Sequence, residues 1–388
     1  MYTSPHLVSV RERIEIDGEK ISRDVFTRRF FEVWDRFGEV AAKDGGLEGI
    51  VRPFYFRFLT ILAFHVFLSE GIRDVVLECG IGGEYDATNV IPPEALSAAV
   101  VTHLGIDHVA MLGETVEEIA WHKAGILKEG RVAFTRTQGQ GVMEVLRRRA
   151  QEKGARLVEV TDEDVRVGPW NDGEGSGMEG AYQRDNRALA VMAAMWHLKG
   201  ECDLAAARRE AWIPGALREA RLKGRGQVLR RGRMTWYLDG AHTEESVRLA
   251  GSWFAGRTGT AEEERKKKRV LVFNQQDRDA KALLETLVEA SGGSGEFDMA
   301  VFTRNEVDAE AVEGGASPDM SVQQGLGATM RRVSPGTKTA VFGSLGEALR
   351  EVARYGSDVD GDGVDVLVTG SLYLVGGVLK VVGDDDQV

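Results

Sequence analysis

Short apolar runs of strand length alternate with longer segments of helical period along almost the whole of this 388-residue chain. Runs that read as buried strands lie at 75–79, 98–104, 234–238, 270–273, 299–302, 339–342 and 364–369. Apolar residues recur at helical spacing over 24–41, 56–69, 116–128, 186–198, 244–254, 281–290 and 345–355. Thr115 with Glu118, and Ser344 with Glu347, have the spacing of capping boxes that open two of these helices. Parallel neighbours need a long crossover, usually a helix, so the alternation predicts an α/β protein with parallel sheets. It pauses at 214–226, a stretch rich in Gly and Arg, which predicts a first domain at 1–214, a linker at 215–226 and a second domain at 227–388. At about 150 residues per domain the length fits two or three domains.

Charge and composition narrow the function. Lys and Arg number 49 against 61 Asp and Glu, a net charge of −12 that argues against a nucleic-acid partner. It leaves room for a small anionic substrate held by local cations. Only Cys79 and Cys202 are present, so neither a disulfide framework nor a zinc spacing exists and a reducing compartment is the default. No apolar run reaches the roughly 18 residues of a membrane span. The 47 glycines exceed the average usage of about 7% and predict tight turns and close backbone approach to ligands. Loops are expected at 168–177, 261–268, 291–296, 305–319 and 358–365, with a frayed tail at 384–388.

Chemistry-bearing residues gather at the expected strand ends. The first run ends in Glu78 and passes into Gly80, Gly82 and Gly83, which suits a metal–phosphate site and equally an ordinary Gly-rich turn. The next run leads to Asp107 and His108, a ligand pair or a hydrogen-bonded structural His. Lys123 sits among Ile119, Ala120, Ile126 and Leu127, and reads as a desolvated reactive amine or as a snorkelling Lys. Asp239 and His242 follow the strand at 234–238 and open a helix, where phosphate is attracted. Arg225 reads as a cation for an anion or as a solvated linker charge. Ser371 after Gly370 offers a hydroxyl and backbone N–H groups to a carboxylate, or simply caps a helix.

The motifs TSPHL (3–7), RERI (11–14), YFRFLT (55–60), GIGGEYDATN (80–89), LGIDH (104–108), LGETVEEIAWHKAGILK (112–128), YQRDN (182–186), LRRGRMTWYLDGAHT (229–243) and TGSLYLVGG (369–377) run in one order along the chain. In that order they resemble the folylpolyglutamate synthases of eukaryotic type, within the Mur-ligase superfamily. The resemblance implies two domains: a central α/β domain of phosphate-loop type and a Rossmann-like C-terminal domain. It implies an ATP-dependent ligase of one-carbon metabolism that joins L-glutamate to the γ-carboxylate of tetrahydrofolate and its polyglutamates through an acyl phosphate. Trp121 and Thr243 favour the eukaryotic, polyglutamate-forming branch.

The resemblance also implies residue roles. Glu78 and His108 match magnesium ligands at the ATP phosphates, and Lys123 matches a lysine carbamylated in relatives that supports a second magnesium. Asn186 and Gln183 match residues near the adenine, and Arg225 one that reaches the phosphates. Asp239 and His242 match an ATP-side pair, and Ser371 stands where the incoming glutamate is expected. Thr3, Ser4, Pro5 and His6 match a loop that closes over folate, with Asp86 near the pterin. A monovalent cation such as K+, a monomeric state, and a cytoplasmic or mitochondrial location belong to the same expectation. Family members carry a Gly-rich phosphate loop before TSPH, whereas this sequence starts at Met1. The expectation is therefore a chain lacking its true N-terminal βα unit, with a folate-binding protein without turnover as the alternative.

Overall fold

The computed structural model describes residues 1–44, 52–171, 181–259, 267–276, 279–293, 295–308, 319–358 and 363–383. Most of the loop segments expected at 168–177, 261–268, 305–319 and 358–365, and the tail 384–388, lie outside them. The chain divides into two compact units, 1–172 with 184–214, and 173–183 with 215–388.

In the first unit, β1 (Glu15–Ile16) and β2 (Glu19–Lys20) form a hairpin. It turns on Asp17 and Gly18, both at positive φ (53° and 83°), as a two-residue hairpin turn requires. A parallel sheet follows in the order β3 (Ala98–Val101), β4 (Val132–Arg136), β5 (Arg156–Val160). The helices Val116–Lys123 and Gln140–Lys153 cover it, with Ala120, Leu104, Val142 and Leu146 in the shared core. A second core joins Tyr2 and Ile14 to Phe58, Leu62 and Val66 of the helix Tyr55–Ser69. The helix Ala181–Lys199 is tied to the end of β4 by an Arg136–Asp185 ion pair at 3.0 Å.

The second unit is a six-stranded sheet. Its strands are β6 (Gln227–Arg231), β7 (Met234–Leu238), β8 (Lys268–Phe273), β9 (Met299–Thr303), β10 (Lys338–Phe342) and β11 (Val364–Thr369). Their order is β10-β9-β8-β11-β7-β6, parallel except for the antiparallel β6–β7 pair. β11 enters between β7 and β8, so the carboxyl ends of these three strands stand side by side. Phe254, Leu271, Phe273, Leu284, Phe302 and Leu326 pack between the sheet and its helices.

Several expectations are corrected. The run 75–79 is no strand: Leu77 makes one parallel bridge to Tyr2, and Val76 is largely exposed. A single residue cannot supply the successive pairings a strand needs. The strand expected at 98–104 stops at Val101, and the helix expected to Lys128 tightens to a 3-10 turn, Ala124–Ile126. There Gly125 lies so close to Glu84 that a Cβ would come within 2.3 Å of its Cα. The expected linker 215–226 is partly helical, because the helix Trp212–Glu219 runs through Pro214. Strands β4, β5 and β6 were not expected. β6 is an edge rich in polar residues, and β5 opens on exposed Arg156 and carries Glu159 within its five residues. No helix among the described residues is long and apolar enough to cross a membrane.

Candidate functional site

In the first unit the TSPH loop is bolted to its neighbours. The Ser4 N–H donates to Glu78 Oε2 at 2.6 Å, and the Glu78 N–H donates to the Tyr2 carbonyl at 2.9 Å. The Thr3 N–H donates to the Arg13 carbonyl at 3.0 Å. Glu12 caps the far side, its carboxylate accepting the N–H groups of Leu7, Val8 and Ser9. Arg13 Nε donates to His6 Nδ1 at 3.0 Å. The Ser4–Pro5 peptide is cis, and Pro5 is exposed. Thus Thr3, Ser4 and Glu78, singled out separately in the sequence, meet in one place.

The Gly-rich loop packs beside them. Asp86 is its organiser: Oδ2 accepts the N–H groups of Gly80 and Ile81, and Oδ1 accepts the N–H and hydroxyl of Thr88. That arrangement makes Asp86 a keeper of loop shape, with its oxygens turned to its own loop. A Cβ at Gly83 would come within 2.8 Å of the His122 carbonyl and 2.9 Å of the Lys123 carbonyl. Only glycine lets the loop lie this close to the end of the lysine helix. The Glu84 N–H completes the contact, donating to the His122 carbonyl at 2.8 Å.

Lys123 is half-buried at the last position of its helix. Burial pushes the nearby Cys79 thiol up from its ordinary value, against the pull of Lys123 and the Thr88 hydroxyl and with the push of Asp86 and Glu78. Lys123 and Glu78 therefore act on the same thiol. His108 is exposed, at φ 52°, with its backbone N–H on Asp107 Oδ1 at 2.7 Å. No group of three or more His, Cys, Asp and Glu among the described residues is arranged to hold a metal. Magnesium bound through substrate phosphates needs no such cage, because it keeps waters and takes only one or two carboxylates. The donor chemistry of Glu78, with its hard oxygens, fits that mode. On the helix Ala181–Lys199, Gln183 is buried and Asn186 half-buried.

In the second unit three turns and one arm converge beyond β7, β8 and β11. The Asp239 carboxylate is buried and accepts the N–H groups of Gly226 at 2.8 Å and Ala241 at 2.9 Å. Its burial raises the carboxyl above its ordinary value, opposed by Arg225, those two N–H groups and His242. His242 Nδ1 lies 2.8 Å from the Gly240 carbonyl, which can only accept, so this nitrogen carries a proton. Gly370, at φ 100°, donates its N–H to the Ala241 carbonyl, and its own carbonyl accepts Gln275 Nε2 at 3.0 Å. Ser371 caps the helix Leu372–Val382, its hydroxyl accepting the Tyr373 N–H. Arg225, Asp239, His242 and Ser371 thus share one end of one sheet.

Gln275, Glu12 and Arg13 were not singled out in the sequence. Gln275 follows the strand run at 270–273, and strand ends were the available signal for it. Arg13 and Glu12 stood inside the RERI motif without a role.

Comparison with known proteins decides the family. The chain is 38% identical, over an alignment of 409 positions, to the folylpolyglutamate synthase of Saccharomyces cerevisiae (strain FostersO), covering 98% of this chain and 71% of that one. The chain belongs to the folylpolyglutamate synthase family. The Mycobacterium tuberculosis folylpolyglutamate synthase complexed with ADP and AMPPCP superposes with a TM-score of 0.75 at 24% identity, covering 99% of this chain and 84% of that one. Escherichia coli FolC in complex with ADP superposes at 0.68 and 25% identity, covering 98% and 81%. No family model matches the chain. The two-domain α/β architecture expected from the motifs is the fold of these synthases.

Proposed function

We propose that this chain uses ATP to join L-glutamate to the γ-carboxylate of tetrahydrofolate and its polyglutamates. The observation that carries the reading is the 38% identity to the yeast synthase over 98% of the chain. ATP as the driving nucleotide is supported by the ADP held by the E. coli relative. Phosphorylation of the carboxylate turns a poor leaving group, oxide, into a good one, phosphate. The glutamate amine then attacks the acyl phosphate, forming the amide and releasing phosphate.

The residue roles proposed are those that the family resemblance implies. Residues 1–214 would receive folate on Thr3, Ser4, Pro5 and His6, with Asp86 holding the neighbouring loop in shape. Glu78, His108 and a carbamylated Lys123 would hold magnesium, with a monovalent cation such as K+ beside it; when bound, magnesium offsets charge building on the transferred phosphoryl group. Asn186 and Gln183 would face the adenine. Residues 215–226 would form the linker. Their Arg225 would reach the phosphates, and residues 227–388 would present Asp239 and His242 to them and Ser371 to the incoming glutamate. Two free cysteines fit the reducing cytoplasm or mitochondrion, where a monomer would act.

The test is ATP-dependent incorporation of radiolabelled L-glutamate into a tetrahydrofolate glutamate by the purified chain. Product that lengthens by γ-linked glutamates supports the reading. A folded chain that binds folate and ATP but incorporates none would leave a binding protein in its place.

A further inference from the structure

We propose that Arg13 fixes His6 as the neutral Nε2–H tautomer, so that the TSPH loop presents a hydrogen-bond donor to an acceptor atom of the substrate. The substrate class rests on the folate reading above; the tautomer does not. Arg13 Nε lies 3.0 Å from His6 Nδ1. A guanidinium never gives up its proton at accessible pH, so Nε donates and Nδ1 accepts. The ring proton of the neutral imidazole is then confined to Nε2.

The surroundings hold this arrangement. Arg13 is 7% exposed, and its guanidinium lies 5.5 Å from the centroid of the Tyr55 ring. Its carbonyl takes the Thr3 N–H, so the residue that sets the proton also anchors the start of the loop. A doubly protonated His6 would turn an N–H toward that guanidinium and lose the bond. The charged groups acting on His6 are Arg13 and Glu12, both from the 3-10 helix Val10–Arg13, with the Tyr55 phenol behind Arg13. Burial and Arg13 lower the affinity of His6 for a second proton, and Glu12 raises it. Glu12 is already engaged by three backbone N–H groups at 2.9, 3.2 and 2.8 Å. His6 itself is half-buried.

Arg13 is thus a positioning residue. The matching ligand atom is a carbonyl oxygen, a carboxylate oxygen or an unprotonated ring nitrogen, and a protonated ligand nitrogen is refused.

The experiment has a spectroscopic and a binding arm. Long-range nitrogen–proton NMR of the full chain labelled at histidine reads the tautomer, with His6 assigned by its loss in His6→Gln. The expected spectrum shows His6 as Nε2–H, without titration near the ordinary histidine value of 6.5. In Arg13→Lys and Arg13→Leu both tautomers appear and His6 titrates closer to that value. Calorimetric binding of a pteroyl-glutamate weakens about tenfold in His6→Leu, as expected for one lost hydrogen bond. His6→Gln keeps a neutral N–H donor and stays within about threefold. An Nδ1–H tautomer, or ordinary titration in the unaltered chain, overturns the proposal; so does equal binding by His6→Leu. If the unaltered chain binds no pteroyl-glutamate, the folate reading fails, while the spectrum still decides the role of Arg13.

Discussion

Asp239 reaches across thirteen positions to hold the backbone of Gly226, its carboxylate accepting that N–H at 2.8 Å. The second oxygen accepts the N–H of Ala241, so one side chain ties the arm bearing Arg225 to the turn bearing His242. A residue chosen in the sequence for its charge acts in the fold through its two acceptors.

That relationship predicts a pH trend. Burial raises the Asp239 carboxyl above its ordinary 3.8. An acid whose native value is raised contributes stability that is complete below its unfolded value and is lost as pH rises through the native one. Asp239→Asn keeps one acceptor and removes the charge. The melting temperature of the natural chain minus that of the variant should therefore shrink as pH rises from about 4 to 8. A difference that widens over that range would contradict the desolvation account.

Gly83 tests the contact between the Gly-rich loop and the lysine helix. A methyl group there meets two backbone carbonyls and Ile126 Cγ2 at 3.0 Å, none of which can swing aside like a flexible side chain. Gly83→Ala should cost about 1–3 kcal/mol in denaturant unfolding. It should also lower turnover by at least about tenfold, because relief requires Lys123 to move. Gly256 is the control: it is exposed, lies inside the helix Glu244–Thr258 and has nothing within 4 Å of its Cβ position. Gly256→Ala should stabilise by about 0.5–1 kcal/mol and leave turnover unchanged. Equal behaviour of the two variants would remove the packing argument.

These two sites mark what the sequence could and could not convey. Alternating patterns carried the helices and most strands of the second unit, because β7, β8, β9 and β11 are buried runs bounded by turn residues. The same logic overreached at 75–79, where an apolar run found only Tyr2 to pair with. It underread β4, which closes on the polar pair Thr135 and Arg136, and β5, whose short apolar run is broken by Glu159. Strand ends pointed to Glu78, Asp239 and Ser371. The direction of a carboxylate was not legible, so Asp86 and Asp239 read as ligand groups, although both bind neighbouring backbone N–H groups. Arg13 and Gln275 were equally out of reach, because their partners His6 and Gly370 are set by tertiary approach.

Lys123→Ala separates chemistry from packing. The side chain is half-buried at a helix end, where its loss leaves no large cavity. Unfolding free energy should change by less than about 1 kcal/mol. Glutamate incorporation should fall on the order of a hundredfold, the usual scale for losing one electrostatic group at a reacting centre. Lys123→Arg, which keeps a cation but forms no stable carbamate, should fall equally. Near-normal turnover in either variant would end the carbamate role.

Arg149 offers the last test, at a distance from any reacting atom. It is buried on the helix Gln140–Lys153, donates to Glu84 at 2.6 Å and to Glu152 at 2.8 Å, and lies 4.4 Å from the centroid of the Trp121 ring. Glu84 follows Gly83 in the Gly-rich loop, and Trp121 stands two residues before Lys123. One guanidinium therefore clamps the loop to the lysine helix. Lys153, 2.9 Å from the same Glu84 oxygen, would keep that carboxylate paired if Arg149 were lost. Arg149→Met should accordingly cost about 1–2 kcal/mol, below the cost of stranding a fully buried charge. Arg149→Lys restores the charge but neither the fork nor the flat cation over Trp121, and should recover only part of it. If the clamp positions Lys123, both variants lower kcat more than they raise the KM for the folate substrate. A KM effect alone, or stability loss with unchanged kcat, would make Arg149 a support of the sheet and no more.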